Sequence, residues 1–450
     1  MREFVTDLLR RHGDDVPVFS HEHTVTHGAL RAAVAAEASL FAASGVGEGS
    51  TVALHLPPSF TQLEVVLALW SLGARVISID HRLKPAEVEV LREMTRPQFL
   101  VRASGHPVGL FRERYELVTE PRSDGVPAAT RHRLVQFTSG STGRPKVVGR
   151  STESIIREVL RFGAAEGMPQ GGERMLMLFS TAQSFGLMGG LLHSLAAGVH
   201  LVFAARPSAE DVLRTVARHR VDFITGVPHH FDLLAAAADR TAMRSVRGGF
   251  TGGELIRPDV AERFAAAYGF AIGECFGTTE TGALTMDATG ATRPSVGKPL
   301  TDTTIRVRDG LVEVALDQSP YLDEGDPTRY RDGWFRTGDR GEFDADGNLR
   351  LLGRADSLVV VRGSNVDLTQ VEAALRAHPL VTEAIAVHDE VIEAYVSTGS
   401  GALTSDDVAA WCAERLAEFK QPQRIHVLTA LPRTPSGKLV RNPRVLADAR

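Results

Sequence analysis

The chain has 450 residues, of which 43% are hydrophobic and 23% charged, and carries a formal net charge of −5. That length exceeds one ordinary core and predicts two or three globular domains. The negative charge argues against nucleic acid as a partner, no apolar run reaches the length of a membrane span, and the distant Cys275 and Cys412 suggest a reduced, cytoplasmic setting without a disulfide framework.

Read in order, the N-terminal part alternates. A helix is predicted over 26–44, with Thr26 as cap and Gly45 as stop. A strand follows over 51–56, a helix over 60–72, and strands over 75–79 and 98–102. Such alternation predicts an α/β domain with parallel pairing. The His-rich stretch 20–23 reads as a solvated turn, because no further ligand sits at metal spacing. Residues 104–133 read as an irregular surface connection.

Next comes the most informative stretch. The apolar run Leu134–Phe137 leads into Thr138, Ser139, Gly140, Ser141, Thr142 and Gly143, then Pro145 and Lys146. Glycines allow a backbone to wrap an anion, hydroxyls and N–H groups bind it, and the lysine adds positive charge. The expected ligand is a triphosphate or pyrophosphate. The pattern is not a Walker A loop, since Pro145 precedes the lysine and Val147 follows it.

Farther on, Ser151 or Thr152 caps a helix, and strands are expected over 175–179, 199–203 and 221–227. The glycines within 180–190 suggest a surface that leaves room for a ligand. Ser208 to Asp211 has the form of a capping box. The glycine-dense stretch 247–254 is expected between a strand and a helix, and a strand over 270–276 opens into a second polar loop, 277–282. From about Val296 the runs shorten and alternate, as in an antiparallel subdomain, with turn chemistry at 344–348. After Asp356 a small α+β unit is predicted, with strands over 358–362, 384–388 and 392–397 and helices over 368–377 and 406–417.

Six motifs in this order resemble the adenylate-forming superfamily of acyl-CoA synthetases, stand-alone adenylation domains and luciferases, over essentially the whole length. They are Thr138–Lys146, Gly252-Gly253-Glu254-Leu255, Phe276-Gly277-Thr278-Thr279-Glu280, Thr337-Gly338-Asp339, Gly353-Arg354-Ala355-Asp356 and Pro435-Ser436-Gly437-Lys438. The resemblance implies a large N-terminal adenylation core of α/β layers over 1–355, including a β-rich subdomain over about 296–355. It also implies a small mobile α+β C-terminal domain over 356–450.

The implied chemistry is the attack of a carboxylate on the α-phosphorus of ATP. Two anions must meet, so the site needs cations. By resemblance Glu280 is the Mg²⁺ ligand, Thr279 binds the α-phosphate and Phe276 offers a face for adenine beside Gly277. Asp339 holds the ribose, Arg354 reaches ribose or phosphate, and Lys438 bridges the carboxylate and the α-phosphate. Asp356 occupies the hinge and Gly363 lines the thiol tunnel. Gln183, Ser184, Phe185, Met188, Thr251 and Thr281 are candidates for the acid pocket, with core packing an equal reading for Phe185 and Met188.

Three departures matter. Gln183 stands where many relatives carry His, Leu368 and Gln370 stand where Pro and Glu are usual, and Val360 occupies a commonly basic position. The last weakens CoA as acceptor relative to the phosphopantetheine arm of a carrier protein. The run Phe179–Gln183 contains no acid where the resemblance places, in amino-acid-activating relatives, an Asp that holds the α-ammonium, and a buried ammonium without a partner is costly. The expected substrate is therefore an aryl or a short or medium aliphatic acid lacking an α-amino group. An amine or oxygen acceptor, and a non-catalytic nucleotide-binding protein on the same scaffold, are the other readings.

Overall fold

The computed structural model describes every residue except 84, 106–110, 139–144, 238, 324–327, 362–363, 389, 400–402, 417, 435–436 and 450. The chain forms two compact units. The first comprises Met1–Arg306, Glu313–Phe335 and Phe343–Arg350; the second comprises Val307–Val312, Arg336–Glu342 and Leu351–Arg450.

Two sheets dominate the first unit. The smaller has six strands in the order Leu117–Pro121, Phe99–Ala103, Thr51–His55, Arg75–Ser78, His132–Thr138 and Lys146–Ser151. Its interior pairs are parallel and its two outermost pairs antiparallel. Between the first two parallel strands lies the helix Phe60–Ser71, buried from Phe60 to Trp70. Most of its residues are apolar, and the buried Gln62 and Glu64 are partnered by Thr181 and Arg114, so the helix has no solvated face. The larger sheet has nine strands in the order Lys298–Pro299, Gly282–Asp287, Gly273–Thr278, Gly248–Gly252, Phe223–Gly226, Arg174–Met177, His200–Val202, Pro17–Ser20 and Thr24–Thr26.

Residues of both sheets and of this helix share the main core, which includes Phe19, Leu54, Phe60, Trp70, Leu134, Phe162, Phe223, Phe250 and Cys275. A second cluster on the other face of the large sheet joins Ile224, Phe231, Ile256 and Phe264.

Three sequence expectations need correction. Residues 104–133 contain the edge strand Leu117–Pro121, paired antiparallel to Phe99–Ala103. The glycines at 248–252 are themselves a central strand, not a loop. A Cβ on Gly249 would lie 2.4 Å from the Ile224 carbonyl oxygen, so glycine lets the neighbouring strand approach. Third, Phe185–Leu192 is a π-helix, and its glycines do not leave space for a ligand. A Cβ on Gly189 would strike the Phe162 ring at 2.9 Å, and one on Gly186 would lie 2.3 Å from the Ser180 carbonyl oxygen. The chain's own groups fill that room.

The second unit contains the three-stranded sheet Val381–His388, Ile392–Thr398 and Arg424–Leu428. The helices Leu368–Arg376 and Ser405–Arg415 contribute Val371, Leu375, Val408 and Cys412 to its core. Thr404 and Asp407 form a reciprocal capping box on the second helix. Among the described residues, no helix is long and apolar enough to cross a membrane.

Candidate active site

In the first unit, the strands His132–Thr138 and Lys146–Ser151 are an antiparallel pair, with Thr138 directly opposite Lys146. These two residues close the base of the predicted phosphate loop. Ser139, Gly140, Ser141, Thr142 and Gly143 lie outside the described residues.

Glu280 is 9% exposed and sits in a turn between the strands Gly273–Thr278 and Gly282–Asp287. The turn is built from hydroxyls. Thr278 N donates to Thr281 Oγ1 and Thr281 N to Thr278 Oγ1, both at 3.3 Å. The two hydroxyl oxygens are 3.1 Å apart. The Thr281 hydroxyl also lies 2.9 Å from the Gly282 carbonyl. This engages its hydroxyl within the turn. Gly277 permits the tight return, because a Cβ there would fall 2.4 Å from the Gly282 carbonyl oxygen. Phe276 is buried at the strand end, and the Thr279 side chain has no hydrogen bond among the described residues.

The Glu280 carboxylate is held from one side. Its Oε1 accepts from the Tyr321 hydroxyl at 3.1 Å and from Thr138 Oγ1 at 3.4 Å. Oε2 has no hydrogen-bond partner among the described residues. A carboxylate with one oxygen oriented and the other open fits a divalent cation that takes its remaining ligands from substrate oxygens. Lys146 Nζ lies 5.2 Å from the centre of the Tyr321 ring. Burial and the Glu280 carboxylate push the Tyr321 phenol above its ordinary range, against the pull of Arg329, so its hydroxyl stays protonated.

Sequence reasoning did not find Tyr321. Its one signal is a Pro-Tyr-Leu triplet inside a polar stretch.

A buried ion pair supports this turn. Arg150 Nη2 meets Glu158 Oε2 at 2.7 Å, with side chains 3% and 1% exposed. Glu158 Oε1 accepts from Ala283 N at 2.9 Å, and a Cβ on Gly282 would overlap this carboxylate. The pair thus ties the strand carrying Lys146 to the strand leaving Glu280.

The acid-pocket candidates separate. Ser184 Oγ donates to Gln136 Oε1 at 2.7 Å, and Gln136 Nε2 donates to the Ala182 carbonyl at 3.1 Å. Gln136, a polar residue in a buried strand, therefore links the phosphate-loop strand to the segment bearing Gln183, which is half-buried. Phe185 stacks on Phe179 with centroids 5.3 Å apart, and its ring lies 3.3 Å from where a Gly252 Cβ would stand.

Met188 is fully buried in the main core and is a packing residue. Thr251 takes the other face of its strand. Side chains alternate along a strand, so Thr251 faces away from the Gly252 and Phe185 side. It lies in register beside Glu274, whose carboxyl burial pushes upward, and its buried Oγ1 has no partner among the described residues. Gly253 closes the strand with φ +90°, a region that favours glycine, and Glu254 is exposed.

In the second unit, Arg354 Nη1 meets Asp339 Oδ1 at 3.3 Å and the Thr337 carbonyl at 3.3 Å. Asp339 N donates to Thr337 Oγ1 at 3.1 Å. The two predicted ribose-site residues are thus neighbours. Asp356 lies in the short 3₁₀ turn Ala355–Ser357, its side chain is outside what is described, and so is Gly363. Exposed Lys438 sits on a hairpin, where its carbonyl accepts from Thr434 N at 2.7 Å and its own N donates to Thr434 Oγ1 at 3.2 Å.

Residues 5–318 match the family model described as AMP-binding enzyme, and residues 370–438 match that of the AMP-binding enzyme C-terminal domain. The chain belongs to the AMP-binding, adenylate-forming enzymes. Among its relatives is the sulfoacetate–CoA ligase of Cupriavidus necator, 29% identical, covering 93% of this chain and 92% of that protein. Another is the 2-succinylbenzoate–CoA ligase of Bacillus subtilis, 27% identical, covering 97% and 95%. The solved O-succinylbenzoate coenzyme A synthetase of B. subtilis in complex with ATP and magnesium ion superposes with a TM-score of 0.83 at 25% identity, covering 99% of each chain.

Proposed function

We propose that the protein is an acid–thiol ligase that uses ATP to convert a carboxylic acid without an α-amino group into an acyl-adenylate. It then passes the acyl group to the thiol of CoA and releases AMP. The observation that carries this reading is the Glu280 carboxylate, oriented through Oε1 and with Oε2 unbonded among the described residues, close to the base of the phosphate loop. Glu280 would hold Mg²⁺, which when bound offsets phosphate charge as the carboxylate approaches. Lys146 and the loop it closes would bind the phosphates, Thr279 the α-phosphate, and Asp339 with Arg354 the ribose. Lys438 would neutralise the two anions as they meet. Asp356 would serve as hinge for a mobile C-terminal domain, and Gly363 would admit the thiol arm.

The relatives' names favour CoA over a carrier-protein arm as acceptor. Phe185 stacked on Phe179 offers a flat apolar wall that suits an aryl or compact acyl group.

The test is pyrophosphate release from ATP with a panel of acids, followed by addition of CoA, a phosphopantetheinylated carrier protein or amines. An aryl or short acyl acid should release pyrophosphate, and CoA should then yield a thioester. Release with no acid in the panel rejects the adenylation reading. Consumption of the adenylate by a carrier protein or an amine, but not by CoA, corrects the acceptor.

A further inference from the structure

We propose that Tyr321 is a positioning residue for the reaction: its hydroxyl orients Glu280 so that Oε2 is presented to the divalent cation accompanying ATP. This rests on the adenylation reading above.

The phenol is placed by backbone. Gly149 N donates to the Pro320 carbonyl and Leu322 N to the Val147 carbonyl, both at 2.9 Å, so residues 320–322 run beside the strand Lys146–Ser151. The Tyr321 ring packs edge-on against Phe335, with centroids 6.0 Å apart, and is 7% exposed. A hydroxyl on so fixed a ring has one place to point, and there it meets Glu280 Oε1 at 3.1 Å. Thr138 donates to the same oxygen, so both hydroxyls turn the carboxylate the same way and neither engages Oε2. Partners behind a metal ligand are worth roughly 10–100-fold in metal affinity, because they remove the ligand's rotational freedom and tune its basicity. The ring face does separate work, with the Lys146 ammonium 5.2 Å from its centre.

That division makes Tyr321→Phe a clean probe. It keeps the ring beside Lys146 and the packing on Phe335, and removes the hydroxyl with its bonds to Glu280 and Arg329. Calorimetric titration of the full-length protein with ATP in excess EDTA, and again with ATP plus saturating Mg²⁺, gives the preference for the metal complex. In Tyr321→Phe this preference should fall about tenfold, while affinity for metal-free ATP stays within about twofold. An unchanged preference overturns the proposal. So does an equal loss for both forms, which would make the phenol a general support of the phosphate pocket. If the unaltered protein binds ATP in neither form, it is the adenylation reading that falls.

Discussion

Glu280 and Lys438 carry opposite charges, and the protein holds them by opposite means. Glu280 is buried and caged by neutral groups, namely the reciprocal Thr278 and Thr281 bonds, Tyr321 and Thr138. Lys438 is exposed, on a hairpin tethered by charge. Arg433 on one limb pairs with Glu383 of the strand Val381–His388. Arg441, beyond the other limb, forks onto Glu372 of the helix Leu368–Arg376. The hydroxyls of Tyr321 and Thr138 both turn toward one oxygen of the carboxylate and so fix its direction. The amine is exposed, and the flanks of its turn are held by ion pairs within its own unit.

The largest effect should come from removing the amine itself. Lys438→Ala should lower acid-dependent ATP–pyrophosphate exchange by roughly 10³-fold, since one preorganised charge at the reacting phosphate is worth that much. The urea midpoint of the full chain should not move, because an exposed hairpin residue carries no core packing. Undiminished exchange would remove Lys438 from the reaction and dissolve the comparison.

On the caged side the corresponding break is Glu158→Gln. It leaves the Arg150 guanidinium buried opposite a neutral group, with Nη1 already lacking a partner among the described residues. Stranding one partner of a buried pair costs about 3 kcal/mol or more, measurable as a lowered urea midpoint. Replacing both partners by apolar side chains, Arg150→Met with Glu158→Leu, should recover most of that stability. Exchange activity should stay low, because Ala283 N has lost its acceptor beside the Glu280 turn. Full recovery of activity as well would show that the pair does not position the turn.

The same contrast explains what the sequence discloses. Both loops advertise themselves, because glycine, hydroxyl and lysine in one short run are local chemistry. The α/β alternation is equally local, and most elements lie within a few residues of their expected positions. Tyr321 is different, because it meets Glu280 across 41 positions and Lys146 across a still longer interval. Gln136 likewise gains meaning only beside Ala182 and Ser184, 46 and 48 positions away. Thr251 and Met188 are illegible for another reason. Proximity in sequence to the pocket residues does not say which face of a strand or helix a side chain takes, and here alternation and core packing turn both elsewhere.

The smallest effect separates the two holding strategies. Arg441→Lys keeps the charge but loses the two-pronged grip on Glu372, whose side chain is only 1% exposed. Glu372 retains Ala386 N at 3.0 Å and Arg376 at 3.5 Å, so the unit should fold normally. The hairpin base loosens, and misplacing a reacting group by a fraction of an ångström should lower the exchange rate about tenfold. Thioester formation from a synthetic acyl-adenylate and CoA should be unaffected if, as proposed, Lys438 serves only the first step. The loss should deepen with added salt, which screens the single ammonium contact that remains. Tyr321→Phe, whose lost bond to Glu280 is sheltered from solvent, should show no such salt dependence. If both half-reactions slow equally in Arg441→Lys, the arginine supports the whole unit and not the amine. If salt leaves the defect unchanged, charge is not what steadies the hairpin.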